Sequence, residues 1–230
     1  MRVSIAVGVL ALFGTALSAL PAHGEEALRD CPADRLCLFD GKGRSKAYAV
    51  TDDARTYEAA WDDKTLSVRN NTPYWACMYA DPEYGGALET VKPGNTDAYA
   101  GGGFARKASS HKLVSSRAQC FTGYERCPEA RLCIFKEPRG RGPMFVADAD
   151  RIPAYAPSWA NGVHSAVNRT ALHACFYRAE RYTGTWPNPE GPRPYGAFVV
   201  LSGADATIPD PFAATFRSHE LVAGTKECQA

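Results

Sequence analysis

The eight cysteines of this 230-residue chain fall twice into one spelling. Cys31-Pro32-Ala33-Asp34-Arg35-Leu36-Cys37 returns at an offset of 96 as Cys127-Pro128-Glu129-Ala130-Arg131-Leu132-Cys133. Cys77 returns as Cys175 and Trp61 as Trp159, both 98 residues on. Ser110-His111-Lys112-Leu113-Val114 returns as Ser218-His219-Glu220-Leu221-Val222, and Cys120 as Cys228, at an offset of 108. Self-similarity at a fixed period marks a tandem duplication, here of a unit of roughly 95–105 residues. The change of offset from 98 to 108 places a net insertion of ten residues between Gly184 and Ser218, with the proline-rich segment Pro187 to Pro194 as the candidate. The expected organisation is a leader over 1–24, a first domain over 25–120, a linker over 121–126, and a second domain over 127–230 with the insertion at 187–194.

Residues 1–24 read as a secretory signal peptide. Arg2 supplies the basic start, Val3 to Leu20 the apolar run, and Ala22-His23-Gly24 the small residues ahead of cleavage. Gly8, Gly14, Ser18 and Pro21 weaken the same run as a membrane anchor, and no later apolar run is long enough to span a bilayer. All eight cysteines follow the leader, in an even number suited to an oxidising compartment. The predicted location is extracellular, with no membrane association after the leader is removed. Arg2 is the one charged residue of the leader, so the remaining chain carries 25 basic and 25 acidic residues. Phosphate binding needs a clustered basic surface, which argues against a nucleic-acid partner.

Tyr79-Ala80-Asp81-Pro82-Glu83-Tyr84-Gly85-Gly86 reads aromatic, four residues, aromatic, one residue, glycine. Tyr177, Tyr182 and Gly184 repeat the spelling of Tyr79, Tyr84 and Gly86. A period-2 strand that ends in an aromatic, a tight turn and a glycine free to take positive φ describes a folded hairpin. The charges around the turn do not repeat, so the motif is a folding device rather than a binding site. Short strand candidates, such as Leu36 to Phe39, Leu66 to Arg69 and Trp75 to Ala80, are separated by Gly-, Pro- or Asx-rich turns. No segment beyond the leader keeps a 3.6-residue apolar period, and the fold class is all-β. Phe39 to Lys46 and Phe135 to Gly142 hold the hairpin's place in the other half of each unit, with degraded spelling.

Eight cysteines allow 105 pairings. If each unit closes on itself, the most economical choice is Cys31–Cys37 with Cys77–Cys120, and Cys127–Cys133 with Cys175–Cys228. The alternative, a zinc site in each unit, lacks a C-x2-C knuckle.

The aromatic-x4-aromatic-x-glycine hairpin, twice well spelled and twice degraded across four motifs, resembles the βγ-crystallin superfamily. The Cys-Pro-x-x-x-Leu-Cys opening and the run Trp61-Asp62-Asp63-Lys64-Thr65-Leu66-Ser67-Val68-Arg69-Asn70 resemble its secreted bacterial branch, which includes the Streptomyces metalloproteinase inhibitor family. The resemblance implies two tandem Greek-key sandwiches, in which Trp61 and Trp159 are core corners. It further implies a non-enzymatic, monomeric extracellular protein that inhibits a peptidase, specifically a metalloprotease. The alternative class is a structural or weakly calcium-binding crystallin-type protein.

The superfamily's calcium motif is two Asn/Asp, two spacers, Ser/Thr, Ser. Asp62, Asp63 and Ser67 keep three of its positions, but Leu66 stands where a ligand hydroxyl belongs. Calcium is therefore disfavoured, the serines are expected to hold turns, and no other cofactor is expected. Neither His-Glu-x-x-His nor Gly-x-Ser-x-Gly occurs, and His111 and His219 sit at equivalent strand starts, where a structural role is the simple reading. No catalytic residue is assigned. Tyrosines such as Tyr57, Tyr74, Tyr124, Tyr155 and Tyr195 raise a carbohydrate-binding reading, but half-buried packing is their commoner use. Asn70-Asn71-Thr72 and Asn168-Arg169-Thr170 fit glycosylation sequons and are expected to be turns. By resemblance, the reactive bond of the inhibitor follows a disulfide cysteine, which points here to Cys77–Met78 or Cys175–Phe176.

Overall fold

The computed structural model describes residues 31–41, 48–98, 103–188 and 193–228. The leader, most of the first hairpin motif and the tip of the proline-rich insertion lie outside the described residues. Fifteen strands are described: β1 (Leu36–Phe39), β2 (Tyr48–Val50), β3 (Ser67–Asn70), β4 (Trp75–Asp81), β5 (Gly85–Val91), β6 (Thr96–Ala98) and β7 (Ser110–Val114) in the first repeat. The second repeat holds β8 (Leu132–Phe135), β9 (Met144–Val146), β10 (Arg151–Ile152), β11 (Ser165–Asn168), β12 (His173–Tyr177), β13 (Phe198–Val200), β14 (Asp205–Thr207) and β15 (Ser218–Val222).

The strands form four antiparallel sheets with orders β2-β1-β3-β6 and β5-β4-β7 in the first repeat, and β14-β11-β8-β9 and β10-β15-β12-β13 in the second. Three of the four sheets take one strand from the neighbouring motif: β6, β14 and β10. β6 comes from the second motif and pairs with β3 of the first, while β10 comes from the third motif and pairs with β15 of the fourth. In the first repeat the counterpart of β10 is reduced to one bridge, Ala54 to His111. This exchange makes two Greek keys into one sandwich, the arrangement of a βγ-crystallin domain.

Both faces of each central strand are buried. Ala76 and Met78 of β4 face the sandwich core with Leu36, Leu38 and Val68. Cys77 and Tyr79, on the other face, lie under Tyr84 and Cys120. Four disulfides close the chain: Cys31–Cys37, Cys77–Cys120, Cys127–Cys133 and Cys175–Cys228. The two long ones span 43 and 53 residues, and the loss of loop entropy in the unfolded chain stabilises the fold by about 3–4 kcal/mol for each.

The hairpin spelling has a physical cause. Glu83 and Tyr84 both take left-handed backbone (φ 59° and 60°), as do Arg181 and Tyr182 (φ 57° and 61°). A left-handed residue with a side chain costs on the order of 1 kcal/mol. Two things offset it. The aromatic rings close on each other, 5.4 Å apart for Tyr79–Tyr84 and 5.9 Å for Tyr177–Tyr182. A serine from the last strand of the motif also clamps the turn. Ser110 Oγ accepts from Tyr84 N–H and donates to Asp81 O; Ser218 Oγ does the same with Tyr182 and Ala179. In the third motif Ser165 Oγ accepts from Gly140 N–H and donates to Glu137 O.

The two repeats interlock through these hairpins. Arg126, from the linker, lies between the rings of Tyr84 and Phe135, 5.3 Å from each centroid, with 5% of its side chain exposed. Its guanidinium pairs with Glu83 (2.7 Å) and donates to Gly140 O and Gly142 O. Gly86 N–H donates to Glu137, and Arg141 donates to the carbonyls of Tyr84 and Gly86 while covering the Tyr79 ring.

The insertion enters between Gly184 and β13. Its base is pinned by reciprocal backbone bonds between Trp186 and Tyr195, both 2.9 Å. Trp186 is buried against Phe212 and Phe216, and its indole N–H donates to Thr215 Oγ1.

Candidate functional site

An inhibitor must offer exposed backbone that is already held in shape. The bonds Cys77–Met78 and Cys175–Phe176 do not. All four residues have no exposed surface, and each bond lies in a central strand paired on both sides. This corrects the expectation that either is a reactive bond: a peptidase could reach them only by opening the sheet. The expectation followed the cysteine spelling, whereas the strand's period-2 pattern carries both residues into packed layers.

Exposed, constrained backbone occurs at the short disulfides. Cys31 and Leu36 are buried, and the four residues between them, Pro32-Ala33-Asp34-Arg35, are all exposed. Asp34 turns the loop in left-handed conformation (φ 58°). Asn71 braces it from the adjacent turn: its amide nitrogen Nδ2 donates to Cys31 O (2.8 Å) and Pro32 O (3.1 Å), and its backbone N–H donates to Arg35 O. Arg69 Nε in turn donates to Asn71 Oδ1. In the second repeat Pro128-Glu129-Ala130-Arg131 is similarly exposed, with Ala130 left-handed (φ 56°). Arg169 replaces Asn71 there, and its guanidinium goes to Glu129 (2.5 Å) and to Tyr124 O in the linker.

The acidic turn proposed for calcium differs between repeats. Among the described residues no three His, Cys, Asp or Glu side chains converge as a metal group. Asp62 Oδ1 and Thr65 Oγ1 are nevertheless buried without a hydrogen-bond partner. Asp63 Oδ1 accepts from Ser109 Oγ at 3.4 Å. Ser67 starts β3, and its counterparts Ser110, Ser165 and Ser218 spend their hydroxyls on the hairpin clamps. In the second repeat the Lys136 ammonium lies over Trp159 (4.9 Å from the centroid) and donates to Ser158 O, so a fixed cation closes the neutral turn Ala160-Asn161-Gly162. Trp61 and Trp159 are partly buried against their cores.

His111 and His219 are buried copies of one another. The Nδ1 of each is bonded to a buried tyrosine hydroxyl, Tyr57 (2.9 Å) and Tyr155 (2.8 Å). Desolvation pulls both imidazoles down to about 4, so each is neutral and structural at neutral pH. The carboxamides of Asn70 and Asn168 are fully buried and tie two strand ends each, Tyr74 O and Val91 O in the first repeat, Leu172 O and Val200 O in the second. Neither is accessible to glycosylation in the folded chain. The tyrosines are dispersed: Tyr57 and Tyr155 are buried, Tyr124 bonds Thr207, and Tyr74 is exposed. No helix among the described residues is long and apolar enough to cross a membrane.

The model of peptidase inhibitor family I36 matches the chain twice, over residues 24–91 and 122–188. The chain belongs to this family. No curated protein sequence matches it. Solved structures that resemble it are βγ-crystallins. Geodin from Geodia cydonium is 12% identical, with a TM-score of 0.31 over 82% of this chain and 99% of its own. Protein S complexed with calcium is 12% identical, with a TM-score of 0.30 over 83% and 99%. A single domain from a study of the evolution of the eye-lens fold is 10% identical, with a TM-score of 0.35 over 43% and 91%. The strand exchange and hairpin geometry, rather than these distant alignments, define the fold.

Proposed function

We propose that the protein is a secreted, non-enzymatic inhibitor of extracellular peptidases, and that its targets are zinc metallopeptidases of the thermolysin type. The observation that carries this reading is the double match of the inhibitor family's model, once on each repeat. The physical character of the chain supports it. Four disulfides and the interlocked hairpins hold exposed loops in fixed shapes, and a loop that is already ordered loses little entropy on docking and is cut slowly. Disulfides suit the oxidising space into which the leader would direct the protein. An inhibition panel over metallo-, serine and cysteine peptidases tests the reading. The expected result is stoichiometric inhibition confined to the zinc enzymes; full activity of every zinc enzyme at micromolar protein rejects it.

A second reading, weak calcium binding at Asp62 and Asp63, is favoured by the unpartnered, buried Asp62 Oδ1 and Thr65 Oγ1. A hard cation takes oxygen ligands of this kind, and the acidic side chains of Asp62 and Asp63 would supply its charge. Calorimetry should give heat with calcium that disappears in Asp62→Ala. No heat at millimolar calcium ends this reading.

A further inference from the structure

We propose that the peptidase is held by the disulfide-clamped loop Pro32–Arg35 of the first repeat, with the Asp34 carboxylate as the oxygen ligand offered to the enzyme's active-site zinc. This rests on the inhibitor reading above and names the contact for it.

Three observations single out the loop. It is exposed over four consecutive residues, whereas the cysteine bonds in β4 and β12 are buried and the Tyr79 hairpin, packed against the second repeat, exposes only Asp81 and Pro82 of its turn. Its ends are joined covalently by Cys31–Cys37, with only six residues of separation. One carboxamide, that of Asn71, holds two successive carbonyls of its first half. A peptidase that cut this loop would leave both ends in place. The disulfide and the Asn71 brace keep the new termini together, so product release is slow.

Asp34 gives the loop its chemistry. It occupies the left-handed tip, which aspartate tolerates better than most residues, and its side chain is exposed. A catalytic zinc keeps one position for water or substrate and accepts carboxylate oxygen there. The second repeat lacks this arrangement. Ala130 stands at the tip, and the loop's one carboxylate, Glu129, is committed to Arg169. The two loops share backbone and clamp and differ in the group that would meet a metal.

The test titrates wild type, Asp34→Ala and Asn71→Ala against a thermolysin-type peptidase, and measures binding to the same enzyme stripped of zinc. Asp34→Ala should fold with a melting temperature lowered by at most a few degrees, as alanine already holds the same left-handed tip at Ala130, and inhibit about 100-fold more weakly, the scale of losing one desolvated charged contact. On the zinc-free enzyme, wild type and Asp34→Ala should bind alike. Asn71→Ala should be cut between residues 32 and 35 during incubation, while wild type stays intact. If wild type inhibits and Asp34→Ala inhibits equally, the loop assignment is overturned and the inhibitor reading stands. If Asp34→Ala weakens binding to the zinc-free enzyme as much as to the holoenzyme, metal ligation by Asp34 is overturned. If wild type inhibits no zinc peptidase, the inhibitor reading itself falls.

Discussion

The hairpins at Tyr79 and Tyr177 have the same spelling, the same pair of left-handed residues and the same serine clamp, yet one is an interface and the other is a surface. At the first, the linker's Arg126 covers Tyr84 and binds Glu83, and the backbone of Gly86 pairs with Glu137 and Arg141 of the second repeat. At the second, Arg151 covers Tyr182 at 4.6 Å and pairs with Glu220, which accepts from the Tyr177 hydroxyl. The arginine that bridges repeats at one hairpin is replaced by an arginine of the same repeat at the other. Beneath them Lys112 has become Glu220. Buried Lys112, with burial lowering its pKa, donates to Thr122 O and pairs with Glu125, so it too ties the linker down. Duplicated scaffolds diverge here by changing which chain segment satisfies a shared face.

The largest test of this contrast is Arg126→Ala. It leaves two hairpin carbonyls without their donor and Glu83 with Arg55 as its remaining partner, and should cost about 2–3 kcal/mol. Calorimetric melting should change from one transition to two as the repeats uncouple. Acid should act on both repeats together. An unfolded histidine titrates near 6.5 and the buried pair near 4, so the unfolded chain takes up protons first. Stability is therefore full above pH 6.5 and falls as the pH drops toward 4, by about 3 kcal/mol per histidine. A pH series of denaturant melts checks this, and replacing either His–Tyr pair by apolar residues should halve the loss.

Gly86→Ala should cost about 1–2 kcal/mol, because φ is +69° and the new methyl would lie 2.5 Å from Asp81 Oδ2. Gly184→Ala, at φ +88° with its nearest neighbour at 3.0 Å, should cost less and leave the interface intact. The smallest effect belongs to Arg151→Ala, at about 0.5–1 kcal/mol, since its side chain is 63% exposed. Paired melting temperatures rank these three variants.

The duplication, the sheets and the hairpins were legible because cysteine spacing, period-2 alternation and aromatic–glycine turns are local signals. The interface was not. Arg126 reads as one residue of a short linker, and its acceptors lie on turns around 83 and 140 that nothing in the sequence brings together. The hairpin clamp was half legible: Ser67, Ser110, Ser165 and Ser218 stand in register, but the calcium motif offers a competing use for the same hydroxyls. Trp186 reads as part of a proline-rich spacer, whereas its ring fills an aromatic core built from Phe176, Phe198, Phe212 and Phe216. Met78 and Ala108 hold the places of Phe176 and Phe216 in the first repeat, so the two cores share a plan and differ in filling. The cysteine bonds misled because cysteine spelling says nothing of strand burial.

The most direct measurement is an active-site titration of a thermolysin-type peptidase with the purified full chain. If one repeat carries the functional loop, residual activity should fall linearly to zero at one equivalent of protein. An endpoint at half an equivalent would mean that both repeats inhibit, contradicting the asymmetry argued between the clamped loops. Undiminished activity with excess protein would contradict the inhibitor account altogether.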